Sequence, residues 1–284
     1  MASVRDLLKR GAEVLAGLPE SDPALEARLL LRRAARLTEL EILAFPEREI
    51  PTRDESLFFA AVEARRTRRP LAYVIGEREF WSIPIAVTPS VLIPRPETEL
   101  LVERVIELCP PRDPFIVEIG TGSGCVAIAL ALELPAARII ATDISRRALR
   151  IAEANASRHG AGNITFLHGA GFGPLKGRGF EGRADVIAAN PPYLAEAEWP
   201  ELAPEVRDHE PRRALVAGPT GLEIVRRIVR GAPRYLKRNG RLAFEIGCGQ
   251  AGEARGLFGR RWDEIEVSLD LGARPRVVAA RLIA

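Results

Sequence analysis

Hydrophobic spacing changes character along the chain. In the first quarter, apolar positions recur at helical intervals. Val4, Leu7, Leu8 and Leu15 form one stripe behind Ser3, a candidate N-cap. Asp22-Pro23 reads as a cap followed by proline at the first helical position, with Leu25, Leu29 and Leu30 continuing on one face. Thr38…Glu41 and Thr52…Glu55 both fit the capping box, in which each side chain satisfies the other residue's free backbone N–H. The second box opens a helix carrying Leu57, Phe58, Ala61 and Val62, which ends in Arg65-Arg66-Thr67-Arg68-Arg69-Pro70. Proline stops the helix, and the arginines suit its negative C-terminal end, so this run is expected to be a solvated helix terminus. Residues 1–75 are therefore expected to form a small helical bundle.

From Glu79 to Pro94 the β-formers Phe80, Trp81, Ile83, Ile85, Val87, Val91, Leu92 and Ile93 are broken by Pro84, Pro89 and Ser90. This predicts a β-hairpin within a linker, residues 76–97. Beyond it, in residues 98–284, strands alternate with helices. The strand candidates are Phe115–Ile119, Arg138–Thr142, Ile164–Leu167, Ala184–Ala189 and Arg241–Ile246. The helical segments fall near 98–108, 124–134, 146–158 and 222–236. Such alternation implies a parallel sheet with helices on both faces. Two final strands, Glu264–Leu269 and Arg276–Ile283, are joined too closely for a parallel crossover and must be antiparallel. The expected fold class is α/β: a Rossmann-like, mostly parallel seven-stranded sheet with a C-terminal antiparallel hairpin, plus the N-terminal helical bundle.

Composition narrows the setting. With 47% hydrophobic and 28% charged residues, the chain reads as an ordinary globular protein, and its net charge of +3 is too small to indicate nucleic-acid binding. Cys109, Cys125 and Cys248 fit neither a zinc pattern nor a disulfide framework, and are expected to be buried free thiols. His159, His168 and His209 show no ligand spacing, so no metal is expected. The N-terminus reaches charge before any apolar stretch, unlike a signal peptide, and the uncharged stretch Ile119–Leu132 is too short to span a bilayer. No membrane contact is expected, and the compartment is expected to be cytoplasmic.

Chemistry concentrates at two strand ends. Val117-Glu118-Ile119-Gly120-Thr121-Gly122-Ser123-Gly124 lies where the first strand of the sheet turns into a helix. Open parallel sheets bind ligands at the carboxyl ends of their strands, and glycine lets backbone approach a ligand. Asp143 ends the next strand, where a carboxylate can accept from both ribose hydroxyls. A dinucleotide fingerprint is a poorer match, because the third glycine, Gly124, comes one position early and Cys125 stands in its place. Glu118 would also repel a pyrophosphate, whereas it suits the ammonium group of a methionine moiety. Candidate cofactor contacts are Glu118, Gly120, Thr121, Gly122, Ser123, Gly124, Asp143 and Asn190, with S-adenosylmethionine as the cofactor.

Asn190-Pro191-Pro192-Tyr193 ends the fourth strand. A planar amide or aromatic amine is a poor nucleophile because its lone pair is delocalised. A site that methylates one must hold the NH2 by both hydrogens. Asn190 offers a side-chain carbonyl, and Pro191 a backbone carbonyl without an N–H of its own. Tyr193 offers a flat face for stacking. Positive charge develops on nitrogen during transfer, and the two carbonyl dipoles stabilise it where it forms. Asn190, Pro191 and Tyr193 are the candidate catalytic residues, and Asn190, Pro191, Pro192 and Tyr193 the candidate substrate contacts.

Nearly the whole chain resembles the HemK/PrmC family of protein-glutamine methyltransferases. The resemblance is carried by Ile93-Pro94-Arg95-Pro96-Glu97-Thr98-Glu99, the glycine loop, Thr142-Asp143-Ile144-Ser145, Asn190-Pro191-Pro192-Tyr193, Glu210-Pro211-Arg212-Arg213-Ala214-Leu215, and Phe244-Glu245-Ile246-Gly247 with Gln250. It implies that the acceptor is the glutamine of a Gly-Gly-Gln motif in class-I peptide-chain release factors, docked by the helical domain. One departure stands out. Where the family commonly has an acidic and then a large apolar residue near the adenine, this chain has Ala170-Gly171, so either backbone groups or Phe172 replace those contacts or cofactor affinity is lower. Two rivals are weighed. Adenine methylation of nucleic acid shares the Asn-Pro-Pro-Tyr motif but predicts a basic groove with stacking aromatics, and nucleic acid is not the expected substrate. A non-enzymatic cofactor sensor would not need an amide clamp. Glu210 and Glu245 fit either acceptor-site shaping or structural roles.

Overall fold

The amphipathic stripes of the N-terminal quarter close on one another in the computed structural model, which describes residues 2–19 and 21–283. Five helices form here: α1 (Val4–Leu15), α2 (Pro23–Ala35), α3 (Glu39–Ala44), α4 (Thr52–Arg66) and α5 (Leu71–Ile75). Ser3 and Asp22 cap the first two, accepting from the N–H of Asp6 at 3.1 Å and of Leu25 at 3.0 Å. Thr38 and Glu41 form the expected reciprocal box, at 3.2 and 2.8 Å. The box expected at Thr52 does not form. Pro51 occupies the cap position and Thr52 is already helical, its carbonyl accepting from the Ser56 hydroxyl. The shared core comprises Val4, Leu7, Leu15, Ala27, Leu30, Leu31, Phe58 and Val62. Leu25 and Leu57 instead face outward, because the inward face of each helix runs through its neighbours.

The arginine run is solvated only in part: Arg66 is exposed, but Arg65 and Arg68 turn to carboxylates. Arg65 is only 6% exposed. Its guanidinium donates to both oxygens of Glu26, at 2.8 and 3.3 Å, and to Glu205 at 3.4 Å. Arg68 donates to the other Glu205 oxygen at 2.6 Å. A charge out of water needs such partners. Ala203–His209, which the sequence assigned to residues 98–284, groups with the helices in a unit that runs to Glu77.

The second unit comprises Arg78–Leu202 and Glu210–Ala284. All but the first residue of the hairpin β1 (Glu77–Phe80) and β2 (Ile83–Ala86) belongs to it. The two-residue turn, Trp81-Ser82, has positive φ at both positions (53° and 57°), which matches the twist of the strands it joins. Glu99 holds the Trp81 backbone N–H at 2.8 Å, and Glu133 its indole N–H at 2.7 Å.

The main sheet contains β3 (Phe115–Ile119), β4 (Arg138–Asp143), β5 (Ile164–His168), β6 (Ala184–Ala189), β9 (Leu236–Glu245), β10 (Trp262–Leu269) and β11 (Pro275–Leu282). Short strands β7 (Leu194–Ala195) and β8 (Val216–Gly218) pair separately. The main order is β10-β11-β9-β6-β3-β4-β5, and only β11 runs against the rest. The seven-stranded sheet and its terminal antiparallel hairpin are as expected. Crossover helices α6 (Glu99–Leu108), α7 (Cys125–Glu133), α8 (Arg146–Arg158) and α10 (Glu223–Gly231) accompany it, with short helices α9 (Pro204–Arg207) and α11 (Ala251–Arg255). The helix expected to reach residue 236 stops at Gly231. Pro233 follows in a 3-10 turn, and β9 starts five residues before the expected Arg241.

Register positions the site. Ile119 pairs with Thr142 on β4 and with Ala189 on β6, and Asp143 pairs with His168 on β5. The residues that follow β3, β4 and β6 therefore emerge side by side. The chain winds outward from β3 through β4 and β5, then returns to β6 on the other flank, and a crevice opens at that reversal.

Gly11 gives a test of the helical packing. A Cβ there would lie 2.5 Å from Phe58 Cζ and 3.2 Å from Ala27 Cβ. Helix propensity alone favours Gly11→Ala by about 1 kcal/mol. Overpacking costs about 1–3 kcal/mol and should prevail. Urea denaturation should show a net loss; a gain would contradict this packing.

Candidate active site

A cleft of about 700 Å³ opens over the carboxyl ends of β3, β4, β5 and β6. Glu118, Gly120, Thr121, Gly122, Ser123, Asp143, Asn190, Pro191 and Pro192 all line it. Gly124 and Tyr193 do not. Gly124, at φ 84°, packs α7 against α8: a Cβ there would meet Ala152 Cβ at 3.0 Å.

The glycine loop is tied down by backbone. The N–H groups of Gly120 and Thr121 both donate to the Thr142 carbonyl, at 2.8 and 2.9 Å. Asp143 accepts from the N–H of Gly122 at 2.9 Å and of Ser145 at 2.7 Å, one on each oxygen. Each carboxylate oxygen retains a further lone pair. Asn155 braces the loop from beneath. Its amide donates to the carbonyls of Ser123 (2.9 Å) and Ala86 (3.0 Å) and accepts from the Ala86 N–H, which ties α8, β2 and the loop together.

Glu118 is 2% exposed, and its carboxylate accepts from the Thr121 hydroxyl at 2.6 Å. Burial pushes its pKa up to about 7. The Thr121 bond opposes that rise, while the negative charge of Asp143 adds to it. A carboxylate placed here is stabilised by any cation entering the cleft.

At the opposite wall the Asn190 amide donates to Thr98 Oγ1 at 3.0 Å, and the Thr98 hydroxyl donates to Glu245 at 2.7 Å. Among the described residues nothing donates to Asn190 Oδ1 or to the Pro191 carbonyl, so both remain free as acceptors. The Tyr193 carbonyl is not free. Gln250 donates to it at 2.7 Å while accepting from the Gly247 N–H at 2.9 Å. Gly221, at φ 80°, closes over the same spot: a Cβ there would lie 2.4 Å from the Tyr193 oxygen. The phenol is pushed up to about 12, mainly by burial.

Thr98 and Gln250 escaped the sequence reading as site residues, because a Thr and a Gln outside a motif's reacting core carry no distinctive signal. Glu210, left open there, is buried and accepts from the Ile93 N–H at 3.1 Å and from Arg95 at 2.5 Å, which fixes the wall around residues 91–95. Glu245, also left open, reaches Asn190 through Thr98. Phe172 lines the cleft beside Ala170 and Gly171, and stacks on Tyr235 with ring centroids 5.0 Å apart. Of the cysteines expected to be buried, Cys125 is, Cys109 is half-buried and Cys248 is exposed, since it lies in the turn that follows β9 rather than within a strand.

Comparison with known proteins agrees with this architecture. Residues 6–76 match the model of the PrmC N-terminal domain, and residues 96–205 that of the methyltransferase small domain. The chain is 40% identical to a release factor glutamine methyltransferase of Nitratidesulfovibrio vulgaris, covering 99% of this chain and 95% of that protein. It is also 40% identical to one of Chlorobaculum tepidum, covering 94% and 93%. Among solved structures, a methyltransferase from Pyrococcus furiosus shares the fold with a TM-score of 0.54 at 17% identity, covering 78% of this chain and all of that one. The hMettl16 catalytic domain does so with a TM-score of 0.55 at 18% identity, covering 75% and 80%. No helix among the described residues is long and apolar enough to cross a membrane.

The buried Glu118 makes stability depend on pH. Its folded pKa, about 7, lies above the ordinary value of 4.5, so between these values the folded state keeps a proton that the unfolded chain releases. Stability should therefore fall as pH rises through that window and level off above it, by roughly 1–3 kcal/mol for this group. Urea denaturation at pH 5 and pH 8 should show a smaller loss in Glu118→Gln than in wild type. Equal losses would mean that Glu118 ionises normally.

Proposed function

The chain belongs to the release factor glutamine methyltransferase family, and from that membership we propose that it transfers a methyl group from S-adenosylmethionine to the glutamine side-chain amide of a Gly-Gly-Gln motif in class-I peptide-chain release factors. The observation that carries this reading is the pairing, in one cleft, of two free carbonyl acceptors with a buried carboxylate.

The residues present suit that cofactor. Glu118, a buried carboxylate on the cleft wall, takes the ammonium of the methionine moiety. Asp143 accepts from the ribose hydroxyls with its remaining lone pairs. The loop Gly120-Thr121-Gly122-Ser123 lets backbone come close, and Phe172 with the backbone of Ala170 and Gly171 completes the adenine side. Gly124 serves the loop through helix packing. When bound, the cofactor supplies an electrophilic methyl group on a sulfonium.

This chain's own task is to present the acceptor. Asn190 Oδ1 and the Pro191 carbonyl take the two N–H bonds of the glutamine amide, which turns its lone pair out of the clamp. The negative ends of their dipoles stabilise the positive charge that grows on nitrogen. Holding both partners in place supplies most of the acceleration, and no strong base is needed before attack. Pro192 shapes the wall. Tyr193 anchors the motif through Gln250 and lies off the cleft wall, so it is not assigned the stacking role expected from sequence.

Purified protein, labelled S-adenosylmethionine and a release factor should place label on the glutamine, whereas label only on nucleic-acid adenine would overturn the reading. Asn190→Ala should lower turnover by about 100-fold or more, with cofactor affinity nearly unchanged in calorimetry. Asp143→Ala should instead weaken cofactor binding. Cofactor affinity should also decline as pH falls below about 7, because protonated Glu118 cannot pair with an ammonium. Glu118→Gln should bind weakly at every pH and lose that slope; a slope that persists would remove Glu118 from the site.

A further inference from the structure

An amide side chain is nearly symmetric in shape, and Asn190 has two ways round. Only one puts an acceptor in the clamp; the other puts an NH2 there, which would repel the NH2 of the substrate. Something must select between them. We propose that Thr98 and Glu245 are positioning residues which fix the Asn190 amide with its nitrogen inward and its oxygen toward the acceptor. This rests on the reading of Asn190 as part of the acceptor clamp.

The selection follows from counting protons. A threonine hydroxyl has one. Glu245 as a carboxylate can only accept, so the Thr98 proton points to it across 2.7 Å. The Thr98 oxygen then has only lone pairs left for Asn190 and must be met by the amide NH2, as observed at 3.0 Å. Polarity is thus passed from a charge on β9, through a hydroxyl preceding α6, to a side chain at the end of β6. Thr98 is 2% exposed and Glu245 1%, so water does not compete for either bond. The groups facing Glu245 are Thr98, Arg95 and Glu97 before α6, Tyr193 after β6, Arg276 on β11 and Cys125 on α7.

Protonation undoes the selection. A neutral Glu245 can donate to Thr98, which frees the hydroxyl proton to meet Asn190 Oδ1 and lets the amide turn over. Burial, aided by Glu97 and opposed by the Thr98 bond and by Arg276 and Arg95, raises the Glu245 pKa to about 7.

The test uses the full chain with a release factor and saturating labelled S-adenosylmethionine. Thr98→Val keeps the shape and removes the hydroxyl. It should lower kcat by about 10- to 100-fold, with KM and cofactor affinity changed by less than about threefold. Thr98→Ser should recover most of the rate. Glu245→Gln decides the matter independently should the valine variant not fold. Wild-type kcat should fall on acidification through pH 7, and the glutamine variant should be slow and lack that limb. A Thr98→Val enzyme with near-wild-type kcat, alongside an inactive Asn190→Ala, would overturn the proposal. So would a Glu245→Gln enzyme that keeps both the rate and the acid limb. A wild-type chain that leaves the release-factor glutamine unlabelled is a distinct result, and would remove the functional reading together with this one.

Discussion

In-register parallel pairing of β3 with β4 and β6 is the constraint on which the site depends. Ile119 sits level with both Thr142 and Ala189. The next residue in each case is therefore one that lines the cleft: Gly120, Asp143 and Asn190. A slip of one residue would turn every side chain of the slipped strand to the opposite face of the sheet. The register is held by strands with little choice. β3 is buried along its whole length, and β6 at every residue but Asp185. Asp185 is itself committed, accepting from the Phe115 N–H at 2.8 Å and from Lys237 at 2.7 Å. Sheet geometry and cleft chemistry are thus one problem solved by the same backbone bonds.

Buried carboxylates are the second theme, and they divide by partner. Glu26 and Glu210 face arginines and are neutralised in place. Glu118 and Glu245 face hydroxyls instead, at 2.6 and 2.7 Å. A hydroxyl satisfies a lone pair without cancelling charge; Glu118 has no arginine against it, and Arg276 and Arg95 offset the burial of Glu245 only in part, so both carry a net cost of burial and raised pKa values. Unrelieved charge is wasteful in a purely structural role. It is useful where an incoming ammonium is to be bound or where the direction of a hydrogen bond must be dictated.

Much of this was legible in the residues. Alternation of strands and helices, the short terminal connection and the glycine loop lead to the sheet, and Asp143 and Asn190 are marked by their places at strand ends. What was hidden was three-dimensional in origin. Arg65 looks like a surface charge until Glu26, thirty-nine positions earlier, is found against it. Gly124 belongs to the motif by spacing, yet its requirement comes from Ala152 on another helix. Tyr193 reads as an aromatic face, while its firmest contact is made by its backbone oxygen. Thr98 lies 92 positions from Asn190, and no local pattern joins them.

The closure of Gly221 over the Tyr193 carbonyl also bears on how such an enzyme can diversify. With 2.4 Å between that oxygen and any added Cβ, and with Gln250 bonded to the same atom, the tetrapeptide backbone has no room to drift. New acceptor preferences are therefore more accessible through another part of the rim, where Pro211, Arg213 and Ala214 line the cleft at a short 3-10 turn. Over long divergence, the backbone of residues 190–193 should stay frozen while the rim is rewritten around it.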